Sequence, residues 1–176
     1  MFKLIYLKLY FFIFGGTKYA RKIGVKVGSN ARILTNKFGS EPFLITLGNN
    51  VTLTGGVRII THDGAASLIL TKSGKRYFKY SSVSIGSNVF VGVDTLIMPG
   101  VTIGDNVIVA AASVVTKDIP SNTVYGGIPA SKICSFDDYK NKILKSGCTS
   151  DDFDIKSKTD IMRMAKITDS KRINIQ

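Results

Sequence analysis

The chain has 176 residues, 44% of them apolar, which is enough for one sizeable core and too apolar for wholesale disorder. Its two cysteines, Cys134 and Cys148, argue against a disulfide framework and favour a reducing cytoplasm. The formal net charge of +12 favours anionic partners such as phosphates or a membrane surface. No aromatic–basic motif of a known nucleic-acid-binding module is present, so we expect no nucleic-acid partner.

Residues 1–22 are predicted to form an N-terminal apolar and basic helix. Its apolar stretch covers about a dozen residues and contains Lys8, so it is too short for the ~20 residues that a bilayer-spanning helix needs. No small-residue cleavage motif follows, which argues against a signal peptide. Two interpretations of residues 1–16 stay open: packing on this domain or a neighbouring subunit, or peripheral contact with the inner face of the membrane.

A six-residue repeat organises residues 23–130. β-branched aliphatic residues recur at this period, and they are Ile85, Val91, Ile97, Ile103, Val109 and Val115. A Gly-x-Asn phrase occurs within residues 27–31, 47–51, 85–89 and 103–107, and both of its fixed residues tolerate left-handed corners. The pattern predicts that each hexapeptide forms one strand and one turn. Three hexapeptides then close one coil with the aliphatic positions inside.

The spacing of the phrase supports this coil length. Gly86 and Gly104 are three hexapeptides apart, which is one coil. Gly28 and Gly48 are separated by one coil and two additional residues, and we expect these two residues to form a bulge at residues 38–42. The middle two glycines, Gly48 and Gly86, are more than two coils apart, and residues 63–82 between them break the pattern. We therefore expect residues 63–82 to leave the coils as an excursion loop, and loops of this length are usually functional or disordered.

The repeat stops after residue 120, and residues 131–176 are predicted to form a C-terminal helical and basic tail. Residues 136–145 have Asp137 near their start and lysines towards their end, a distribution that suits the dipole of a helix.

Residues 83–133 resemble the hexapeptide-repeat O-acetyltransferases, among them the maltose and galactoside acetyltransferases and the acyltransferases of capsule and lipopolysaccharide gene clusters, and the resemblance extends over roughly residues 20–140. FGSEP, THDG and VTKDIP are phrases shared with that last group. The resemblance implies an all-β fold, a left-handed parallel β-helix, because handedness does not follow from the period itself. It also implies a homotrimer whose active sites lie between subunits, acetyl-CoA or another acyl-CoA as co-substrate, and no metal.

His62, directly before the excursion loop, is the only histidine and stands where the family has its general base. Transfer to a hydroxyl needs a base, and an imidazole with an ordinary pKa of about 6.5 is available at neutral pH. No serine or cysteine beside it suggests a covalent acyl-enzyme. Asp63 is a poor partner for the imidazole, since neighbours on a strand point to opposite faces. The alternative is a histidine with a purely structural role.

The resemblance also implies residues that bind acyl-CoA, and these are Val93, Ala111, Thr116 and Lys117. The family's usual Gly-Ala-Gly-Ser is Ala110–Ser113 here, which crowds the backbone slightly. Ser131 and Cys134 stand where maltose-type relatives have arginines, and we expect Lys132 to compensate.

Asn36 and Glu41 lie one predicted coil below His62 and are candidates for holding a sugar, or they are solvated residues of a bulge. The loop contains four basic residues, Lys72, Lys75, Arg76 and Lys79. These either grip a nucleotide diphosphate or cover the neighbouring subunit.

The predicted function is therefore acyl-CoA-dependent transfer of an acetyl or similar group to a sugar hydroxyl, in surface polysaccharide biosynthesis. Two alternatives remain: an N-acyltransferase acting on a nucleotide-linked amino sugar, and a non-catalytic β-helix that serves as an interaction subunit. A hexapeptide-repeat carbonic anhydrase is excluded, because its zinc needs three histidines and the chain has one.

Overall fold

The computed structural model describes residues 2–147 and 158–173. The chain divides into two compact units, residues 1–134 and residues 135–176. Cys148 lies outside the described residues. The first unit contains the N-terminal helix and the repeat.

Thirteen short strands occur in the described part of the chain. They are β1 (Lys26–Val27), β2 (Arg32–Ile33), β3 (Ile45–Leu47), β4 (Val51–Leu53), β5 (Arg58–Ile59), β6 (Val83–Ile85), β7 (Val89–Val91), β8 (Leu96–Ile97), β9 (Thr102–Ile103), β10 (Val107–Val109), β11 (Val114–Val115), β12 (Thr123–Gly126) and β13 (Ser131–Ser135). They form three sheets, ordered β1-β3-β6-β9, β13-β12-β10-β7-β4-β2 and β11-β8-β5. Successive coils pair in parallel along all three sheets, so the chain winds as a parallel β-helix.

The pairing register confirms the predicted coil lengths. Ser84 pairs with Thr102, so the coil between them consists of three hexapeptides. Strands β1 and β3 pair across a coil that is longer by two residues, and strands β4 and β7 pair across the excursion loop. The last coil is shorter by two residues, since Val107 pairs with Thr123. The excursion loop therefore leaves the coils without disturbing the register on either side of it.

The interior of the coils is filled by the aliphatic repeat. All six residues of the period from Ile85 to Val115 are at most 2% exposed. Strand side chains alternate between the two faces, so each three-residue strand that buries its ends turns its middle residue outward. Phe38, at the start of the bulge, fills the interior of the first coils and is 1% exposed.

The glycine and the asparagine of the repeated phrase have different structural roles at the corner that precedes the six-stranded sheet. The asparagines have left-handed φ values of 53–61°, and they are Asn30, Asn50, Asn88, Asn106 and Asn122. Their side-chain amides form a ladder of hydrogen bonds from coil to coil at 2.8–3.3 Å. The glycines of the phrase lack a positive φ. A Cβ on Gly28, Gly48 or Gly86 would instead lie 2.5–2.8 Å from the carbonyl group of the matching glycine in the next coil.

Helix α1 (Phe2–Lys22) closes the first coil. It kinks at Gly15, where φ is 78° and ψ is 165°. Beyond the kink Ala20 is fully buried, Thr17 Oγ1 donates to the Ala31 carbonyl at 2.9 Å, and Arg21 donates to the Gly28 carbonyl at 2.6 Å. The C-terminal part of α1 thus packs on its own domain, whereas the two interpretations of residues 1–16 stay open.

Within the described residues, no helix is long and apolar enough to cross a membrane.

The second unit contains helices α2 (Phe136–Ser146) and α3 (Lys158–Ile173). Ser135 caps α2 in a capping box, in which its hydroxyl accepts from the Asp138 N–H at 3.0 Å and its own N–H donates to the Asp138 carboxylate at 3.2 Å. The predicted helix at residues 136–145 is therefore present.

Gly48→Ala should destabilise the coil stack. The added Cβ lies 2.7 Å from the carbonyl carbon and oxygen of Gly86, so the coils must separate, at a cost of about 1–3 kcal/mol. Gly55→Ala is the matched control, because its Cβ meets no atom of the chain within 4 Å. Urea unfolding should show a lower free energy of unfolding for Gly48→Ala only. Equal loss in both variants would contradict the close-approach explanation.

Candidate active site

His62 lies at the corner where the chain leaves strand β5 for the excursion loop. The loop begins with a 3₁₀ helix, Gly64–Leu68, and returns beside its outgoing arm. His62 bridges to Tyr80 on the returning arm, and the two rings meet edge to face with centroids 6.1 Å apart. The His62 side chain is 38% exposed, so it is held by its neighbours and remains accessible.

Glu41, on the bulge, is the partner of this histidine. His62 Nδ1 lies 2.9 Å from Glu41 Oε2, and the buried Thr61 donates its hydroxyl to the same oxygen at 2.8 Å. The Glu41 side chain is only 16% exposed. The structure thus assembles a Thr61–Glu41–His62 cluster from two successive coils.

The electrostatics of this cluster fix which ring nitrogen is available. The hydrogen bonds from His62 and then from Thr61 hold the pKa of Glu41 below its usual value of 4.5. An ionised carboxylate can only accept, so Nδ1 of His62 must carry the hydrogen of their bond. In the neutral ring this leaves the lone pair on Nε2, which is the arrangement that a general base requires.

The pairing register explains why these residues meet. Lys37 pairs with Arg58, and the same sequence interval separates Glu41 from His62. Glu41 was expected one coil from His62, but not as the partner of the imidazole. The lengthened coil around the bulge was the signal that could have shown it.

Asp63 and Asn36 stand apart from the cluster. Asp63 caps the 3₁₀ helix, because its carboxylate accepts from the Ala65 N–H at 3.0 Å. Asn36 is exposed just before Lys37, and in the described part of the chain no hydrogen bond joins it to His62 or Glu41. Of the two residues predicted to hold a sugar, only Glu41 touches the histidine.

The residues predicted to bind acyl-CoA occupy three places. Val93 and Ala111 share one corner of neighbouring coils, where the Ala112 N–H donates to the Val93 carbonyl at 2.7 Å. Thr116 and Lys117 follow β11 at the corner where His62 follows β5. Strand β8 lies between β11 and β5 in the sheet. The corner after β11, with Thr116 and Lys117, is therefore two coils, or about 10 Å along the axis, from the corner after β5, with His62. One chain therefore brings Val93, Ala111, Thr116 and Lys117 to the two corners that flank the β11-β8-β5 sheet, but not into one cluster.

Lys132 lies on β13, at the end of the six-stranded sheet, and is exposed. A cavity of about 390 Å³ lies on the outer face of the β11-β8-β5 sheet, next to the corner of Val93 and Ala111. Lys37 and Arg58 contribute its basic side. Asp94 lines the same cavity, so its wall carries charges of both signs.

Among residues 2–147 and 158–173, no three His, Cys, Asp or Glu side chains are grouped so that they could hold a metal ion.

Comparison with known proteins gives a consistent result. The family model for the bacterial transferase hexapeptide (six repeats) matches residues 82–117. Protein CapG of Staphylococcus aureus is 50% identical over 129 residues, which are 72% of this chain and 74% of CapG. The galactoside O-acetyltransferase of Escherichia coli K12 is 36% identical over 117 residues, 63% of this chain and 57% of that protein. WcaF of the same strain, named for acetyl transfer in colanic acid biosynthesis, is 32% identical over 125 residues, 62% of this chain and 69% of WcaF.

Two solved structures agree with this result. A maltose O-acetyltransferase from Clostridium difficile 630 superimposes with a TM-score of 0.55 at 29% identity, covering 70% of this chain and 75% of that one. A galactoside acetyltransferase in complex with coenzyme A gives a TM-score of 0.54 at 28% identity, covering 71% and 72%. The expected left-handed parallel β-helix and the expected acyltransferase class are thereby confirmed. The chain belongs to the hexapeptide-repeat acetyltransferases.

Proposed function

We propose that this protein transfers an acetyl or similar acyl group from coenzyme A to a sugar hydroxyl in surface polysaccharide biosynthesis, with His62 as the general base. The observation that carries the proposal is the bond from His62 Nδ1 to Glu41, which leaves Nε2 as the basic nitrogen. The similarity to WcaF supports the polysaccharide role, and the similarity to the galactoside enzyme supports a sugar acceptor.

The reaction needs one base and no covalent enzyme intermediate. The acceptor oxygen attacks the carbonyl carbon of the thioester and forms the new C–O bond while its proton passes to Nε2 of His62. The tetrahedral intermediate then collapses, the C–S bond breaks, and the imidazolium returns the proton to the sulfur of coenzyme A. The products are the acylated sugar and free coenzyme A.

Glu41 acts through His62 as a positioning residue. Its carboxylate fixes the ring orientation and stabilises the imidazolium that forms during transfer, as a buried carboxylate does in other base–carboxylate pairs. Thr61 holds the carboxylate from the other side. Asn36, exposed on the coil below, is a candidate contact for the sugar.

Acyl-CoA is placed along the corner of Val93 and Ala111, with Thr116, Lys117 and Lys132 as contacts for its polar and anionic parts. Val93 is 49% exposed, and the three polar residues are exposed too. The solved complex of a galactoside acetyltransferase with coenzyme A supports this choice of co-substrate.

The proposed active enzyme is a homotrimer. The excursion loop exposes an apolar ridge of Leu68, Ile69, Leu70 and Phe78, which are 57–80% exposed. Apolar patches of this kind mark association surfaces. A neighbouring subunit packed on the ridge would lie next to His62, where the loop begins, and would complete a site between subunits.

His62→Ala should lower acceptor-dependent release of coenzyme A by roughly 10²–10⁴-fold, because the variant lacks the general base. Thiol release from acetyl-CoA is measured with a panel of sugars and nucleotide amino sugars, and the best acceptor distinguishes O- from N-transfer. Lys142→Ala, on α2 in the other unit, is the control and should keep the wild-type rate. An unchanged rate in His62→Ala would exclude this residue as the base. Failure of the wild-type protein to bind acetyl-CoA would favour the interaction-subunit alternative.

Glu41 is the only glutamate in the sequence, so its carboxyl carbon can be followed as a single resonance after ¹³C-glutamate labelling. We expect it to titrate below 4.5 in the wild-type protein and to move back towards 4.5 in His62→Ala, because the His62 bond is the first cause of the lowered pKa. Since the folded pKa is the lower one, the stability from this carboxylate is complete above about pH 4.5 and is lost as the pH falls through the folded pKa. Identical titration in both proteins would contradict the bond.

The mass in solution should be three times the 19.1 kDa of one chain. Leu68→Asp with Phe78→Asp should lower this mass, because two charges would be buried in the subunit contact. Leu144→Asp, at a residue of α2 that is 71% exposed, is the matched control and should not. Light scattering after size exclusion measures all three, and a monomeric wild-type protein would contradict the trimer.

A further inference from the structure

The N-terminal part of helix α1 carries an apolar outer face. Ile5, Leu9, Phe12 and Ile13 recur at the i, i+4, i+7, i+8 spacing of one helical stripe, and they are 57–83% exposed. These four residues form the outer face of α1. Nothing in the described part of the first unit covers them.

The inner side of the same segment holds it in place. Leu7, Tyr10 and Phe11 are half-buried. The Phe11 ring meets Tyr19 edge to face at 5.5 Å, and Tyr19 packs against the core of the coils. The inner side of the helix is thus fixed to the domain through the contact between Phe11, before the kink, and Tyr19, after it. The outer face is available for another partner.

The charged residues in and just after helix α1 are all basic, and Lys8 is the one that lies beside the outer face. Residues 1–26 contain six Lys or Arg and no Asp or Glu. Lys8 is exposed and lies about a quarter turn from the middle of the outer face, given 3.6 residues per turn. A lysine at the edge of an apolar stripe can bury its stem while its ammonium reaches anionic headgroups.

The same charge disfavours a second copy of the chain as the occupant. Two outer faces packed together would bring two basic segments without acids against each other, and like charges repel. An anionic lipid surface offers both an apolar layer and the missing negative charge.

We propose that the outer face of α1 lies on an anionic membrane surface, parallel to it, and that the protein is held there peripherally. This inference concerns where the protein binds and stands independently of the acyl transfer proposed above.

The position of α1 relates this surface to the candidate active site. A cavity of about 490 Å³ is bounded by Tyr6 and Leu7 on α1, by Ser40 and Pro42 on the bulge, and by Phe43 directly after it. Ser40 and Pro42 flank Glu41 in the sequence. A helix resting on lipid by its outer face therefore holds the bulge with Glu41 on the opposite side of the helix, about one helix diameter (~10 Å) from the membrane surface.

A single introduced tryptophan tests the proposal, because the sequence contains none. The emission of Phe12→Trp should shift to the blue with vesicles of phosphatidylcholine and phosphatidylglycerol in a two-to-one ratio. It should not shift with phosphatidylcholine alone, and added salt should reverse the shift. Leu144→Trp, at a similarly exposed residue of α2, is the control and should not shift.

Sedimentation with the same vesicles gives the second measurement. Changing Ile5, Leu9 and Phe12 together to serine should weaken partitioning by at least about tenfold, and Lys8→Gln should weaken it roughly fivefold. The matched control changes Leu144, Ile161 and Met162 to serine and should bind as the wild type does.

The proposal is overturned if the Phe12→Trp emission does not respond to anionic vesicles, or if Leu144→Trp responds equally. It is also overturned if the triple serine variant keeps its lipid binding but loses oligomer mass, because the outer face would then be a subunit contact. Phe12→Trp and Lys8→Gln decide the question if the triple variant fails to fold, since both leave the core untouched.

Discussion

Backbone pairing between successive coils is the interaction on which the rest of the structure depends. The first three glycines of the corner phrase approach the next coil so closely that a Cβ would meet its carbonyl. The asparagines beside them take the left-handed turn and continue the pairing through their amides. With the coils locked in this way, alternate side chains of every short strand point inward, and the aliphatic core follows without long strands or large helices.

The same pairing assembles the candidate active site. Glu41 and His62 are distant in sequence but only one coil apart in space, and Thr61 secures the carboxylate between them. A strand corner alone would hold an imidazole loosely. Here the bulge of one coil and the corner of the next fix the position of the imidazole and its tautomer together.

The fold was largely predictable because its period is written into the residues. The aliphatic period, the Gly-x-Asn phrase and their spacing specify coil length, bulge and excursion loop. The bond between Glu41 and His62 was harder to predict, because it depends on how the two extra residues of the bulge are accommodated, which a period does not contain. The assignment of Val93, Thr116 and Lys132 to acyl-CoA binding came from family resemblance and stays a prediction, and the single chain leaves these residues at separate places on its surface. The role of the phrase glycines was also predicted incorrectly. They were expected to adopt a left-handed φ, but they are needed for the close approach of the next coil, and both requirements select glycine.

The excursion loop shows how such a scaffold can diversify. The whole loop is inserted at a corner, yet strands β4 and β7 on either side still pair residue for residue. A corner therefore accepts an insertion of any length whose ends meet, whereas one residue added within a strand would turn its inward side chains outward. A loop at this corner can thus be replaced without disturbing the core of the coils, so the surroundings of His62 and the stability of the core can change separately.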